Sequence, residues 1–416
     1  MERLAKNTIW NSAGVLTYFA CQWIITVIVV WLSEDFTNAG YLALAMNITN
    51  FFYTVAAYNI RVFQVSDIKE EYNDSEYVIT RILTCVVSVL LCAALVLIID
   101  FTATQRIIII CYMIFRANDA FIDVFHGIDQ KNWRMDIIGV SLISRGVLML
   151  TAFIILLWQF DLLPAIIGMA VITILVGLLY DIPKTKKLAI YAAITGKNIL
   201  SLLKRCFPLM LVILISMVIV SFSRYSIERI YGTEDLGIYA SVTAPTLIIQ
   251  IATATLFAPL GNLFAECLKE GKKSRFVKIM IGSSLIVVGF TLSFVILSIF
   301  FGEWGLNILY GASIIPHAYL LPGAAVVAGL TAFVWLMNWA FTATRDIKGL
   351  FIGNLIGAVV CVATVDVLLI RNGLEGANYV MIISQSVTLL CLVIRLFWYI
   401  NNKEGLFAGS KSEIIA

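Results

Sequence analysis

Apolar runs of about twenty residues recur along the whole chain and alternate with short polar segments. A run of about twenty apolar residues is what an α-helix needs to cross the hydrocarbon core of a bilayer. The pattern therefore predicts twelve membrane-spanning helices, near residues 9–32, 38–60, 77–100, 107–125, 137–158, 164–181, 206–223, 237–262, 277–301, 316–342, 350–370 and 377–400.

The composition agrees with a membrane location. Of the 416 residues, 61% are hydrophobic and 13% are charged, whereas about a quarter of the residues of a soluble protein are charged. The first apolar run follows a basic tip but is too long for a signal peptide, so we expect an uncleaved first helix. The predicted fold class is an all-α polytopic membrane protein.

Positive charges are distributed unevenly between alternate connections. Connections after odd-numbered helices are short, such as 33-SEDFT-37, whereas those after even-numbered helices are basic, such as 265-AECLKEGKKSRF-276. Because cytoplasmic loops are enriched in Lys and Arg, we expect both termini on the cytoplasmic side.

The longest basic connection divides the predicted helices into six and six. We expect an N-terminal lobe at 1–181, a basic cytoplasmic linker at 182–205 and a C-terminal lobe at 206–416. The linker mixes apolar and basic positions at helical spacing, and two interpretations are open. It forms either a helix on the inner leaflet or a cytoplasmic extension of the seventh helix. Equal halves suit the repeat-built architecture of many transporters.

The fourth predicted helix carries a polar stripe within 115-FRANDAFIDVFHGIDQ-130. Its polar residues recur every three or four positions and so share one face: Arg116, Asp119, Asp123, His126 and Gln130. An arginine at the bilayer centre costs at least about 2.5–3.5 kcal/mol, so this face must meet protein or water. If the fourth and fifth helices are antiparallel, Arg145 lies level with Arg116.

The arginines of this half of the chain predict an anion site. Arg61 and Arg81 lie nearer the cytoplasmic mouth, and Arg116 and Arg145 lie deeper. Two arginines at one depth in a dry core would repel each other, so we infer a water-filled cavity that holds an anion. A graded line of cations suits a phosphate-bearing substrate that enters from the cytoplasm.

Simpler interpretations of the same residues are open. Arg116 with Asp119 or Asp123 could form an internal salt bridge that only locks the helix bundle. Arg61 and Arg81 could be anchors bound to lipid phosphates. Asp119 and Asp123 either orient the arginines or carry protons or sodium ions.

The C-terminal half has fewer charges within its predicted helices. Asp366, near the end of the eleventh helix, is a candidate for ion coupling. The glycines of 349-GLFIGNLIG-357 form a stripe that predicts close helix packing. Pro208, Pro245 and Pro259 are positioned to kink the seventh and eighth helices.

The sequence offers no catalytic, metal or cofactor site. The eight cysteines are scattered and the two histidines, His126 and His317, are far apart, so neither a zinc site nor a disulfide framework is expected. The segment 271-GKKS-274 lacks the first glycine of a P-loop. The outer loops are too short for glycosyltransferase chemistry, and the acidic pair Glu34 and Asp35 lies in a loop of about five residues. We expect a transporter rather than an enzyme.

Four stretches carry a family resemblance. They are, in chain order, 34-EDFTNAGYLALA-45, 61-RVFQVSDIKEEY-72, 120-AFIDVFHGIDQKNWRMDIIGVSLISR-145 and 227-IERIYGTEDLGIYASVTAP-245. With them the chain resembles Wzx-type polysaccharide repeat-unit flippases of the MOP exporter superfamily, to which lipid II flippases and MATE exporters also belong. The resemblance extends from the first predicted helix to at least the eighth.

The resemblance implies two six-helix lobes, a central cationic cavity and alternating access. The implied activity moves undecaprenyl-diphosphate-linked oligosaccharide repeat units from the inner to the outer leaflet of the cytoplasmic membrane of a prokaryote. The arginines would grip the diphosphate, the sugars would occupy the cavity, and the lipid tail would stay in the bilayer. H⁺ or Na⁺ is a candidate coupling ion, and the membrane potential is the alternative driving force. Membrane lipids are expected partners, polysaccharide polymerase and chain-length proteins are further candidates, and no nucleic acid is expected.

Three other functions compete with this one. A MATE-like exporter of cationic small molecules would favour a net acidic cavity. A membrane-embedded glycosyltransferase or polymerase would need larger outer loops. A scaffold for a polysaccharide assembly complex would tolerate the loss of the buried arginines.

Overall fold

The computed structural model describes residues 2–67, 70–257 and 260–402, and every regular element in these residues is a helix. This confirms the predicted all-α fold class. The chain divides into two compact units, with the boundary between Leu214 and Ile215. Residues 182–205, expected as a linker, fall within the first unit. The division into two six-helix lobes stays a prediction.

The first unit contains eight helices and the start of a ninth, which crosses the boundary. They are α1 (Glu2–Trp31), α2 (Thr37–Ala57), α3 (Ile60–Ser66), α4 (Asp74–Ile98), α5 (Ala103–Lys131), α6 (Met135–Gln159), α7 (Leu162–Val176), α8 (Ile182–Thr185) and α9 (Gly196–Tyr231). A π-helical turn, Gly177–Asp181, connects α7 to α8.

The second unit contains the end of α9 and seven further helices. They are α10 (Thr233–Thr243), α11 (Leu247–Phe257), α12 (Leu260–Lys269), α13 (Lys273–Tyr310), α14 (Leu320–Thr344), α15 (Ile347–Asn372) and α16 (Glu375–Asn402). Short 3₁₀ turns at Ala244–Thr246 and Ala312–His317 precede α11 and α14.

Within the residues that the structure describes, nine helices are long and apolar enough to cross a membrane. They coincide with all the predicted spans except the second, fourth and eighth. The second and fourth correspond to the more polar helices α2 and α5. The eighth, at 237–262, is not one helix but is divided among α10, α11 and α12. The total of twelve spans stays a prediction.

Two of the three prolines can be placed. Pro245 lies in the 3₁₀ turn that interrupts the eighth predicted span. Proline favours such an interruption because it lacks an amide N–H and its ring clashes with the preceding helical turn. Pro208 lies inside α9, which is assigned as helix without interruption. Pro259 lies outside the described residues.

The basic connection at 182–205 contains helix at its two ends. After α8, residues 189–195 form no helix, and α9 begins at Gly196. Residues 196–205 are therefore the start of the long helix, as in the second interpretation. Acidic residues at the start of α4 bind this segment: Asp74 accepts the amide of Ile190, and Glu76 accepts that of Thr195.

Helix α5 occupies the centre of the first unit and packs against α2, α4 and α7. A capping box defines its start, because the side chains of Thr102 and Gln105 each accept the other's backbone N–H. This central position explains the polar stripe, since a helix surrounded by other helices can bury charges without exposing them to lipid.

Glycines bring α1 and α6 into close contact. A Cβ atom on Gly139 would collide with the backbone of Trp10, and one on Gly14 would collide with the backbone of Gly139 itself. Small residues at such a crossing let two backbones approach closely. The contact sets the distance between Tyr18 on α1 and Arg145 on α6, which both belong to the site described below.

In the second unit α14 is the most enclosed helix, and α15 packs along α16. Cβ atoms on Gly353 and Gly357 would collide with Leu392 and Thr388 of α16, and one on Gly349 would collide with Arg395. The predicted role of this glycine stripe in close helix packing is confirmed.

Candidate functional site

Two aspartates on α5 organise the charged residues of the first unit. Asp119 and Asp123 are one helical turn apart, so their side chains lie on the same face. Each carboxylate forms ion pairs with two arginines, and all four arginines are those predicted from the sequence. These six residues are called the arginine–aspartate network below.

Asp119 is held from three helices. Its Oδ2 atom accepts a hydrogen bond from Arg116 Nη1 at 3.2 Å, and its Oδ1 atom accepts one from Arg145 Nη2 of α6. The hydroxyl of Tyr18, on α1, lies 2.8 and 2.9 Å from the two oxygens. Asp119 and Arg145 are both buried. Three donors, from α1, α5 and α6, thus converge on this one buried carboxylate.

Asp123 connects α3 and α4 to α5. Arg61 Nη1 donates to Oδ1 at 2.8 Å, and Arg81 Nη2 donates to Oδ2 at 3.1 Å. Arg61 also donates to the side-chain oxygen of Gln130, at 3.3 Å from Nε and 3.0 Å from Nη2. The contacts made by the predicted stripe of α5 thus extend as far as Gln130.

The end of α2 provides acceptors for Arg81. Helix α2 ends at Ala57, and the next two residues, Tyr58 and Asn59, adopt left-handed φ angles of 47° and 55° before α3 begins. The last carbonyl groups of a helix lack intrahelical donors and carry partial negative charge. Arg81 donates to two of them, Ala56 O at 3.1 Å and Ala57 O.

Aromatic rings cover two of the guanidinium groups. The guanidinium carbon of Arg116 lies 4.0 Å from the ring centre of Tyr53, and that of Arg145 lies 5.5 Å from the ring centre of Tyr18. A cation over an aromatic face is stabilised by about 0.5–2 kcal/mol, more when it is desolvated.

The four arginines differ in exposure, and each ion-pair group contains one buried arginine and one more accessible arginine. The side chains of Arg145 and Arg81 are 3% and 0% exposed, whereas those of Arg116 and Arg61 are 15% and 31% exposed. Each aspartate therefore joins one buried arginine to one accessible arginine. The buried Nε atoms of Arg116, Arg145 and Arg81 all lack a hydrogen-bond partner among the described residues.

The structure answers part of what the sequence left open. Arg116 and Arg145 do lie together, and the anion between them is the carboxylate of Asp119. The internal salt bridge considered for Arg116 is present. Arg61 and Arg81 both pair with Asp123, and orientation of the arginines by Asp123 stays a prediction. Binding of a substrate anion by these arginines stays a prediction.

Asp366 belongs to the second unit. Its side chain is 52% exposed and pairs with that of Arg229, which is 44% exposed. Nothing in this exposed pair distinguishes it from a surface ion pair, and a coupling role for Asp366 stays a prediction.

Two residues of the site were not found from the sequence. Tyr18 lies in an apolar run and Tyr53 in a run of aromatic residues, so neither stands out by pattern. Their contacts depend on which helices pack together. Among the described residues, no group of three or more His, Cys, Asp or Glu side chains is arranged to hold a metal ion.

The fold and the network together define a class of protein. A bundle of apolar helices with a buried, hydrogen-bonded set of charges is typical of membrane transporters, in which such charges line substrate or ion pathways. The family comparison narrows this class. A model of the family described as Polysaccharide biosynthesis protein matches residues 4–259, more than half of the chain, and the chain belongs to that family.

Solved structures of the MOP superfamily share the fold. The MATE transporter VcmN of Vibrio cholerae is 15% identical, with a TM-score of 0.67, and the match covers 98% of each chain. The lipid II flippase MurJ, in an inward closed conformation, is 12% identical with a TM-score of 0.69, over 94% of this chain and 90% of that one. A MOP superfamily transporter from Pyrococcus furiosus is 14% identical with a TM-score of 0.64, over 96% of both chains.

At these identities the structural likeness establishes the fold. No curated protein matches the chain. The predicted MOP-type fold is confirmed.

Proposed function

We propose that this protein is a flippase for undecaprenyl-diphosphate-linked oligosaccharide repeat units. One observation carries the proposal. The arginine–aspartate network contains four arginines and only two aspartates, so it has an excess of two positive charges. An excess of positive charge within a membrane-spanning helix bundle is costly unless an anion compensates it, and a diphosphate is such an anion.

The exposure pattern indicates which arginines bind. The buried arginines Arg145 and Arg81 neutralise Asp119 and Asp123. Arg116 and Arg61 are more accessible than these two, which leaves their guanidinium groups within reach of a ligand. A guanidinium has five donors in a planar fork and binds phosphate oxygens in pairs. We therefore propose that Arg116 and Arg61 contact the diphosphate directly, and that Arg145 and Arg81 hold the carboxylates in place.

The rest of the proposal rests on the family. Membership of the polysaccharide biosynthesis family supports an oligosaccharide as the cargo. The lipid tail would remain in the bilayer, and alternating access would expose the network first to the cytoplasm and then to the outer side. Such a cycle breaks no covalent bond, so it requires neither a nucleophile nor a cofactor.

Location and partners follow from the same proposal. The protein would lie in the cytoplasmic membrane of a prokaryote with both termini in the cytoplasm, as the distribution of Lys and Arg predicts. If this orientation is right, a reporter that works only in the cytoplasm will be active when fused after residue 416, and a reporter that works only outside the cytoplasm will be inactive there. Polymerase and chain-length proteins, and H⁺ or Na⁺ as coupling ion, remain proposed partners.

Export of a small molecule is the second candidate, because some solved structures with this fold are multidrug MATE transporters. The transporter from Pyrococcus furiosus is described as having a binding pocket of reverse polarity that suggests a different function. Fold alone therefore leaves the cargo open, and the excess positive charge of the network opposes a cationic cargo.

A binding measurement tests the proposal. Purified protein in nanodiscs would be titrated with undecaprenyl diphosphate and, separately, with the uncharged undecaprenol. We expect the diphosphate to bind more tightly, and Arg116→Ala to weaken it about ten- to a hundredfold, since a hydrogen bond to a charged group contributes about 1.5–3 kcal/mol. Equal affinity of the wild type for both lipids would overturn the proposal. Arg275→Ala, which removes an exposed arginine paired with Glu266 and Glu270, is the control.

A further inference from the structure

A second buried polar cluster lies on α5 beyond the arginine–aspartate network. His126 Nε2 lies 3.2 Å from Asp181 Oδ1 and 3.3 Å from the hydroxyl of Ser141 on α6. His126 is 3% exposed, and the other two residues are 0% exposed. Such an enclosed histidine–carboxylate pair is not needed for packing, because apolar residues would fill the same volume at lower cost.

Asp181 is incompletely paired. Its Oδ2 atom is buried and has no hydrogen-bond partner among the described residues. A second buried carboxylate is near: Asp129, also 0% exposed, accepts the hydroxyl of Thr185 at 3.0 Å from each oxygen. Asp129 and Asp181 repel each other electrostatically. A buried, unpaired carboxylate oxygen beside an imidazole is a site where a proton is stabilised.

Pro183 determines the backbone conformation at Asp181. Pro183 has no N–H, and its ring would clash with the carbonyl four residues earlier in a regular α-helix. The helix widens to a π turn at Gly177–Asp181, and the amide of Ile182 reaches back five residues to Gly177 O. Isolated π turns of this kind occur frequently at functional sites. The widened turn gives Asp181 its position beside His126.

The surrounding charges do not already neutralise the pair. On α5, Asp123 interacts with His126, but Arg61 of α3 and Arg81 of α4 are paired with that aspartate. On α6, Arg145 is paired with Asp119, although Asp181 lies within its electrostatic reach. Tyr180, beside Asp181, interacts with Asp136 on α6 and with its partner Arg134. The ion pair of Arg134 and Asp136, at the start of α6, is exposed and has no net charge.

We propose that His126 and Asp181 form a proton-binding site that is protonated and deprotonated during transport. A proton between the two groups converts an isolated buried carboxylate into an imidazolium–carboxylate pair and removes one unit of buried negative charge. Hard cations prefer oxygen ligands, whereas the partner of Asp181 Oδ1 is an imidazole nitrogen, so the pair suits a proton better than a metal ion. The proposal rests on the proposed function only for its link to transport.

The position of Asp181 in the chain provides a route for coupling. Asp181 is followed directly by α8, which Asp129 holds through Thr185, and then by the segment that leads to α9. Helix α9 is continuous across the boundary between Leu214 and Ile215. Gain or loss of a proton therefore changes the electrostatics at the start of the connection to the second unit, as a two-state transport cycle requires.

Nuclear magnetic resonance tests the site without any transport assay. The chain has only two histidines, so full-length protein labelled with ¹⁵N-histidine gives two imidazole signals, and His317→Gln assigns them. We expect the His126 signal to change between its neutral and charged forms from pH 8.5 to 5. Asp181→Asn should lower the ratio of imidazolium to imidazole at a fixed pH by about tenfold or more, because the negative charge beside the ring stabilises its charged form.

A His126 signal that does not respond to pH in the wild type would overturn the proposal, and this outcome requires no variant to fold. An equal response in the wild type and in Asp181→Asn would also overturn it, since the carboxylate would then not share the proton. Ser141→Ala, which removes a neutral partner, should leave the response to pH within about twofold of the wild type.

The link to transport needs a second measurement in proteoliposomes loaded with lipid-linked oligosaccharide. We expect a pH gradient to accelerate translocation by the wild type, and His126→Gln and Asp181→Asn to abolish the acceleration while translocation without a gradient continues. Equal acceleration in these variants would overturn the coupling role. If the wild type moves no lipid-linked oligosaccharide at all, the proposed function fails, whereas the magnetic resonance result stands independently.

Discussion

Arg116 and Arg145 bind opposite oxygens of one carboxylate, that of Asp119. Two guanidinium groups from different helices are thus brought together although like charges repel. The same arrangement recurs one turn along α5, where Arg61 and Arg81 bind opposite oxygens of Asp123. Each aspartate pairs with one buried arginine and one more accessible arginine.

Neutralising Asp119 should destabilise the first unit more than neutralising an exposed aspartate. Asp119→Asn leaves two arginines without their shared anion, and the loss of one partner from a buried ion pair costs about 3–5 kcal/mol. The matched change Asp366→Asn removes an exposed pair with Arg229 and should cost about 1 kcal/mol or less. Thermal unfolding in detergent would compare the two, and equal unfolding temperatures would show that Asp119 does not hold the network.

Replacement of arginine by lysine should distinguish Arg81 from Arg61. Arg81 donates to Asp123 and to two carbonyl groups at the end of α2, and it is fully buried. A lysine cannot reach all three acceptors in this geometry, so Arg81→Lys should lower the free energy of unfolding by about 1–3 kcal/mol. Arg61→Lys keeps its accessible position beside Asp123 and should cost less. The melting temperatures of the two variants check this, and a larger loss for Arg61→Lys would contradict it.

Removal of the Tyr18 hydroxyl should weaken the hold on Asp119 without changing any charge. Tyr18→Phe keeps the ring beneath Arg145 but deletes the donor that lies between the two carboxylate oxygens. A hydrogen bond to a charged group contributes about 1.5–3 kcal/mol, so a lower unfolding temperature is expected. Tyr53→Phe is the control, because its contact with Arg116 is through the ring face. If Tyr18→Phe unfolds at the wild-type temperature, the hydroxyl contributes nothing to the network.

Two glycine-to-alanine changes should differ in their effect on membrane accumulation. In Gly139→Ala the new methyl group would collide with the backbone of Trp10, which cannot move aside as a flexible side chain can. We expect poor accumulation in the membrane. Gly289→Ala, inside α13, meets nothing within 4 Å, and alanine is the better helix former by about 1 kcal/mol. Membrane levels measured by immunoblot should fall for Gly139→Ala and remain normal for Gly289→Ala; equal levels would show that α1 and α6 need no close approach.

Much of the fold could be predicted from the sequence because the bilayer imposes one length and one polarity on each spanning helix. Helical periodicity also placed the polar stripe of α5 on one face. The level positions of Arg116 and Arg145 followed from the short connection between their helices. These predictions rest on local pattern and chain geometry alone.

The sequence could not show which side chains meet across helices. Asp119 lies on the same stripe as Arg116, but its simultaneous contact with Arg145 and Tyr18 depends on the packing of α5, α6 and α1. Asp181 ends an apolar run and gave no signal, because its position depends on the π turn before Pro183. The division of the eighth predicted span was visible only as a proline, which marks where a helix can break but not whether it does.

Replacement of Arg116, in a strain that needs this gene for its surface glycan, tests most directly whether the arginine–aspartate network binds the diphosphate of the substrate. Arg116→Ala and Arg116→Glu would be compared with Arg116→Lys and with the exposed control Arg275→Ala, at matched membrane levels. We expect the Ala and Glu variants to lose glycan export and to accumulate lipid-linked oligosaccharide on the cytoplasmic side, and we expect partial export in Arg116→Lys. Normal export by correctly inserted Ala and Glu variants would contradict this expectation and would make the network an internal brace.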